Sequence, residues 1–130
     1  MNFNNSVIDW KQVDNVISSS NRILLTTHEN PDGDGLGSEV AMYHHLCDEK
    51  KDVKIINCSI TPSMFDYINE GGCIETYNES YHLEWLKRCE LVIVFDVGDF
   101  NRTRNIKEAV ERFNIPVMNI DHHPHPDKND

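Results

Sequence analysis

The sequence predicts an α/β fold, a mostly parallel sheet flanked by helices. Three observations carry this. Short apolar, β-branched runs alternate with segments of helical periodicity. The strongest run, Leu91-Val92-Ile93-Val94-Phe95, is apolar at every position, as expected of a strand buried on both faces inside a parallel sheet. Three of the runs lead directly into polar clusters, and open parallel sheets bind ligands beyond the carboxyl ends of their strands.

The elements follow in order. Val7, Ile8, Trp10, Val13, Val16 and Ile17 fall near helical spacing and predict a helix from Val7 to Ser20, with Ser6 as its N-cap. Arg22 to Thr27 is a short β-branched run and reads as a buried strand. It ends in a polar, Gly-rich loop from His28 to Gly35. A helix is predicted from Leu36 to about Lys50, with Val40, Ala41 and Leu46 in the core. Val53 to Asn57 reads as the second strand. Pro62 starts a short helix through Ile68, which Gly71-Gly72 ends. Tyr81 to Arg88 is predicted helical, Leu91 to Phe95 a strand, Asn105 to Phe113 a helix and Ile115 to Ile120 a strand. The order of the strands is not fixed by this pattern.

A chain of 130 residues suits one domain. The sequence holds no apolar run of about 18 residues and its N-terminus has no basic stretch before an apolar core, so neither a membrane span nor a signal peptide is expected. A cytoplasmic location is the expectation. Cys47, Cys58, Cys73 and Cys89 form no C-x-x-C pair, so a zinc knuckle is not expected, and the thiols read as reduced and structural. Asp and Glu outnumber Lys and Arg by 22 to 12. Such a balance argues against binding a long nucleic-acid backbone, which needs clustered cations.

The carboxylates become informative where they gather. His28, Asp32 and Asp34 share the first Gly-rich loop, and imidazole with carboxylates suits Mn²⁺, Fe²⁺ or Zn²⁺. A turn in which Asp side chains bond the backbone is an equally good account of that loop alone. Asp96 follows the most apolar strand, where a carboxylate is costly to desolvate unless paired or metal-bound. Asp99 and Arg102 come next, either functional or as a helix cap and a local ion pair. Asp121-His122-His123 ends the last strand, and neighbours in an extended segment point opposite ways, so the two imidazoles can serve different tasks. Together the clusters hold ligands for two divalent metals with one bridging carboxylate. Neither a G-x-x-x-x-G-K-[ST] phosphate loop nor a G-x-S-x-G elbow is present.

The run His28-x-Asn30-Pro31-Asp32-x-Asp34-x-x-Gly37-Ser38 resembles the first motif of the DHH phosphoesterases, Asp96-x-x-Asp99-x-x-Arg102 their second, and Asp121-His122-His123 the motif that names them. The resemblance implies that His28, Asp32 and Asp96 hold one metal, commonly Mn²⁺, and that Asp34, Asp96 and His122 hold the other. It implies that His123 contacts the phosphate. Asp121, Asp99 and Arg102 would orient ligands or substrate, and Ser38 would support the helix start. The D-x-x-D-x-x-R form is most similar to the group of bifunctional oligoribonucleases and phosphatases of 3′-phosphoadenosine 5′-phosphate (pAp). That implies a short oligonucleotide or nucleotide substrate, with a homodimer expected for the full-length protein. Family members are longer, with a fourth motif bearing another metal-binding Asp and a C-terminal DHHA1 domain. Residues 1–130 are therefore expected to be the N-terminal part of a DHH domain, truncated before both, either a fragment or a natural product.

Other readings of the same site are pyrophosphatase, cyclic-dinucleotide phosphodiesterase or RecJ-type exonuclease. A different class is a non-catalytic metal-binding product. His44 and His45 are adjacent on a predicted helix and share no face, and His82 and His125 read as surface residues. Trp10 and Trp85 read as packing residues rather than base-stacking platforms.

Overall fold

A computed structural model describes residues 8–121. Five strands form one sheet: β1 (Arg22–Thr26), β2 (Asp52–Asn57), β3 (Ile74–Thr76), β4 (Leu91–Phe95) and β5 (Val117–Ile120). Their order is β3-β2-β1-β4-β5, and every pairing is parallel. Four α-helices flank them: α1 (Trp10–Ser19), α2 (Gly33–Asp48), α3 (Glu79–Leu86) and α4 (Asn105–Arg112). The α/β class and parallel sheet expected from the pattern are thus those observed.

The alternation of side chains along each strand divides the core in two. Ile23, Leu25, Ile55, Leu91 and Ile93 pack with Leu36 and Leu46 of α2, and Val16 and Ile17 of α1 lie against them. Leu24, Ile56, Val92 and Val94 face the other way, with Leu86 of α3 and Ile106, Ala109 and Val110 of α4. Each fully buried Leu or Ile stabilises the fold by about 1.5–3 kcal/mol relative to exposure, and β1, β2 and β4 together supply most of them.

Several boundaries differ from the expected ones. α1 begins at Trp10, and its N-cap is Asp9, whose Oδ1 accepts from the Gln12 amide at 3.0 Å. The expected cap, Ser6, lies outside the described residues. α2 begins three residues before Leu36, because Asp32 caps it and accepts from the Gly35 amide at 3.2 Å. Ala41 is exposed and does not belong to the core. Between Ser63 and Gly72 the chain makes successive tight turns around a 3₁₀ helix, Ser63–Phe65, instead of an α-helix. Gly71 and Gly72, both at positive φ, end that run. β3 was not expected. It is a three-residue edge strand, joined to α3 by His82.

That histidine corrects its surface assignment. It is 2% exposed. Its Nδ1 accepts from the Asn78 amide at 3.0 Å, so the ring proton is on Nε2, which donates to Glu75 of β3 at 3.0 Å. Trp85 is half-buried, donates to Asp52 and lies under the Arg22 guanidinium, while Trp10 is exposed. The four cysteines are free, and burial pushes the Cys89 thiol up to about 11, fitting an inert structural role.

Candidate metal centre

The strand order places the site. Chain direction diverges at β1: β2 and β3 lie to one side, β4 and β5 to the other. Beyond the carboxyl ends of β1 and β4 the sheet therefore opens a crevice at its topological switch point. His28 follows β1 by two residues and Asp96 follows β4 directly, so two of the polar clusters meet there although 68 positions separate these residues.

His28 is 6% exposed. Its Nδ1 lies 2.6 Å from the Glu29 carbonyl. A carbonyl only accepts, so the proton is assigned to Nδ1 and the lone pair to Nε2. Nε2 lies 3.5 Å from Asp96 Oδ2 and 3.8 Å from Asp32 Oδ2. One ligand atom from each of these three residues lies within 4.8 Å of the others. Asp32 has two uses for its carboxylate, since Oδ1 caps α2 while Oδ2 faces the cluster. Partial burial raises the Asp32 carboxyl, but the Gly35 amide, Asp96 and His28 outweigh it and hold it below the ordinary range. Two carboxylates in contact repel unless a proton or cation lies between them. A buried imidazole lone pair facing two such groups is a donor set that fits Mn²⁺, Fe²⁺ or Zn²⁺.

Asp96 adopts φ +60°, the left-handed region. Asp and Asn tolerate this better than other non-Gly residues, and such backbone is found at functional sites. The turn ends β4 and leaves the side chain at the crevice. Asp96 also lines a hollow of about 210 Å³ with Asp34, Ser38, Phe95, Ile120 and Asp121. One carboxylate is thus common to the His28 cluster and to a second acidic concavity. A larger hollow, about 360 Å³ and bounded by Tyr77, Glu79, Glu108 and Arg112, lies between α3 and α4 and holds none of the expected site residues.

The remaining expected residues are placed as follows. Asp34 is exposed in the first turn of α2, where a carboxylate favours the helix dipole. Ser38 lies well inside α2, so it does not support the helix start, a role that falls to Asp32. Asp99 caps the 3₁₀ helix Phe100–Thr103, accepting from the Asn101 amide at 3.0 Å. Arg102 bonds to Asp99 through its backbone amide, at 2.9 Å to the carbonyl, and not by an ion pair; its Nη2 approaches His28 Nδ1 at 3.4 Å, and its carbonyl accepts from the Glu29 amide at 2.8 Å. Arg104 pairs with Glu29 and ties the two loops together again. His122 and His123 lie outside the described residues, so the third motif is represented by Asp121 alone.

Behind the loop stands a group absent from the sequence reading. Glu39 is fully buried, and its Oε1 accepts from Asn57 Nδ2 at 2.9 Å. Burial pushes its carboxyl well above the ordinary range, against the opposing bond from Asn57. Its signal was spacing: Leu36, Glu39, Tyr43 and Leu46 follow the i, i+3, i+7, i+10 stripe that faces a core.

A parallel α/β sheet with an imidazole and two carboxylates converging at its switch point defines a class of protein with a candidate metal-binding crevice. Residues 22–130 match the DHH family, N-terminal domain. The chain therefore belongs to the DHH family of phosphoesterases. Over 115 residues it is 29% identical to the bifunctional oligoribonuclease and PAP phosphatase NrnA of Mycoplasma genitalium, covering 87% of this chain and 34% of that one. Its fold is similar to that of an exopolyphosphatase-related protein from Bacteroides fragilis, with a TM-score of 0.81, 21% identity, and coverage of 91% of this chain and 35% of that one. The chain thus spans about a third of the length of these relatives. No helix among the described residues is long and apolar enough to cross a membrane.

Proposed function

We propose that this chain carries the N-terminal, metal-binding part of a two-metal phosphoesterase acting on short oligoribonucleotides, pAp, or both. One observation carries the reading: His28 Nε2 and the carboxylates of Asp32 and Asp96 converge at the switch point. These three residues would hold the first ion. Asp34, Asp96 and His122 would contribute to a second, with Asp96 shared. Manganese suits the mixed nitrogen and oxygen donors. A divalent pair supplies an activated water and neutralises phosphoryl charge. The chain's own residues do the rest. Glu29 fixes the His28 tautomer. Arg102, exposed beside His28, offers a cation to a phosphate oxygen, and His123 would contact the same group. Asp121 and Asp99 would orient ligands from the rim. The Mycoplasma relative, named for both activities, supports this substrate class.

The test is a Mn²⁺ titration of the chain followed by assays on pAp, dinucleotides and pyrophosphate. The chain is expected to bind Mn²⁺ with micromolar affinity, and the intact gene product that contains it is expected to turn over pAp or dinucleotides. Preference for pyrophosphate would reassign the substrate, and metal binding without any turnover would favour a non-catalytic metal-binding product. Absence of Mn²⁺ binding would remove the metal-centre reading.

A further inference from the structure

The link from Glu39 to the candidate ligands can be followed bond by bond. Asn57 ends β2 and is fully buried. Its Nδ2 donates to Glu39, and its Oδ1 accepts from the Thr27 amide at 3.1 Å and from Thr26 Oγ1 at 3.4 Å. Thr27 Oγ1 in turn donates to the Phe95 carbonyl at 2.7 Å. Thr27 immediately precedes His28, and Phe95 immediately precedes Asp96. A single chain of hydrogen bonds from α2 therefore reaches the residue before each of two expected ligands, crossing β2, β1 and β4.

Glu39 is a poor choice for stability alone. Its Oε2 meets no hydrogen-bond partner among the described residues. A buried polar atom of that kind is destabilising, and an apolar side chain on the same stripe would avoid the cost. What Glu39 does provide is an acceptor that orients the Asn57 amide. With Nδ2 held by the carboxyl, Oδ1 must face the Thr27 amide; without that acceptor, the amide group loses its orientation.

We propose that Glu39 is a positioning residue for the metal centre: through Asn57 it fixes Thr27, and so the strand ends that carry His28 and Asp96. This rests on the metal-centre reading above. Ligand groups supported this way have to be held within about 0.5 Å of productive geometry, and loss of such support typically weakens metal binding by about 10–100-fold.

The test uses the whole chain with Mn²⁺ as probe. Glu39→Gln keeps the acceptor and is expected to bind Mn²⁺ within about twofold of the wild type. Glu39→Leu fills the stripe without an acceptor, removing the unpaired Oε2 but leaving Asn57 Nδ2 unpaired; it is expected to melt near the wild type, yet to bind Mn²⁺ at least about tenfold more weakly. Its Thr27 amide is expected to exchange faster with solvent in the metal-free protein. Leu46→Ala, on the same helix, is expected to melt lower with unchanged affinity. If Glu39→Leu does not fold, Asn57→Ala severs the same link from the other side and is expected to show the same loss. Wild-type Mn²⁺ affinity and Thr27 protection in whichever of these folds would overturn the proposal alone. A wild-type chain that binds no Mn²⁺ would overturn the metal-centre reading and this proposal together.

Discussion

At the scale of single residues, two positions have little freedom. A Cβ added to Gly35 would lie 3.1 Å from Thr27 Cβ and 3.3 Å from Cγ2, and still closer to Oγ1, which is committed to Phe95. Gly35→Ala is expected to cost about 1–3 kcal/mol in denaturant unfolding. An unchanged midpoint would mean that α2 withdraws freely from β1. Asp96 is limited by its backbone. Asp96→Asn tolerates the left-handed turn and should fold normally, with Mn²⁺ affinity down about tenfold or more. Asp96→Ala should lose the affinity and in addition about 1 kcal/mol of stability. Thermal melts with parallel metal titrations separate the two effects. The letters of the motifs pointed to Asp96 as a ligand candidate; they could not show the positive φ that aims it. Glu39 is hard to place from sequence because its charge argues for exposure while its position on the apolar stripe argues for burial.

Among the elements, legibility followed length and apolar content. β1, β2 and β4 were readable because continuous Ile, Leu and Val runs have few alternatives to burial. β3 was not, since Ile74-Glu75-Thr76 is too short to show a period and is held by its neighbours. α2 starts earlier than its sequence suggests, because Gly33 and Gly35 are weak helix formers but the Asp32 cap fixes the first turn. The junction of β3 with α3 depends on His82, which joins Glu75 to the Asn78 amide. His82→Ala is expected to destabilise the protein by about 1–3 kcal/mol, combining a cavity with the loss of hydrogen bonds to the amide of exposed Asn78 and to Glu75, which keeps its pairing with Lys54. Mn²⁺ affinity should not change, because α3 packs on the sheet face opposite α2. A fall in affinity matching the fall in melting temperature would contradict that separation.

For the whole molecule, the class of fold and the meeting of the first two clusters, with Asp121 of the third beside them, followed from the sequence, since each cluster trails a strand and parallel strands end at one edge. The strand order, and hence which clusters touch, required the structure. Stability as a function of pH is set partly by Glu39. Burial raises its carboxyl, so the native chain keeps a proton that the unfolded chain releases once pH passes the ordinary glutamate range. Stability therefore falls as pH rises from there, until pH passes the raised native value. Glutamine has no proton to release. Glu39→Gln should match the wild type below the ordinary glutamate range and become increasingly the more stable of the two as pH rises above it. Melts across that rise in pH measure the difference, and parallel curves would show that Glu39 titrates alike in both states.

Asp96 belongs to both concavities of the crevice, which has a genetic consequence. On the two-metal proposal, a change at Asp34 or Asp32 alone should impair one neighbour, whereas a change at Asp96 should impair both at once. Phenotypes at these positions should then mask rather than multiply: once Asp96 is lost, adding Asp32→Ala or Asp34→Ala does little further harm, and strong epistasis centred on one codon becomes the mark of a shared ligand.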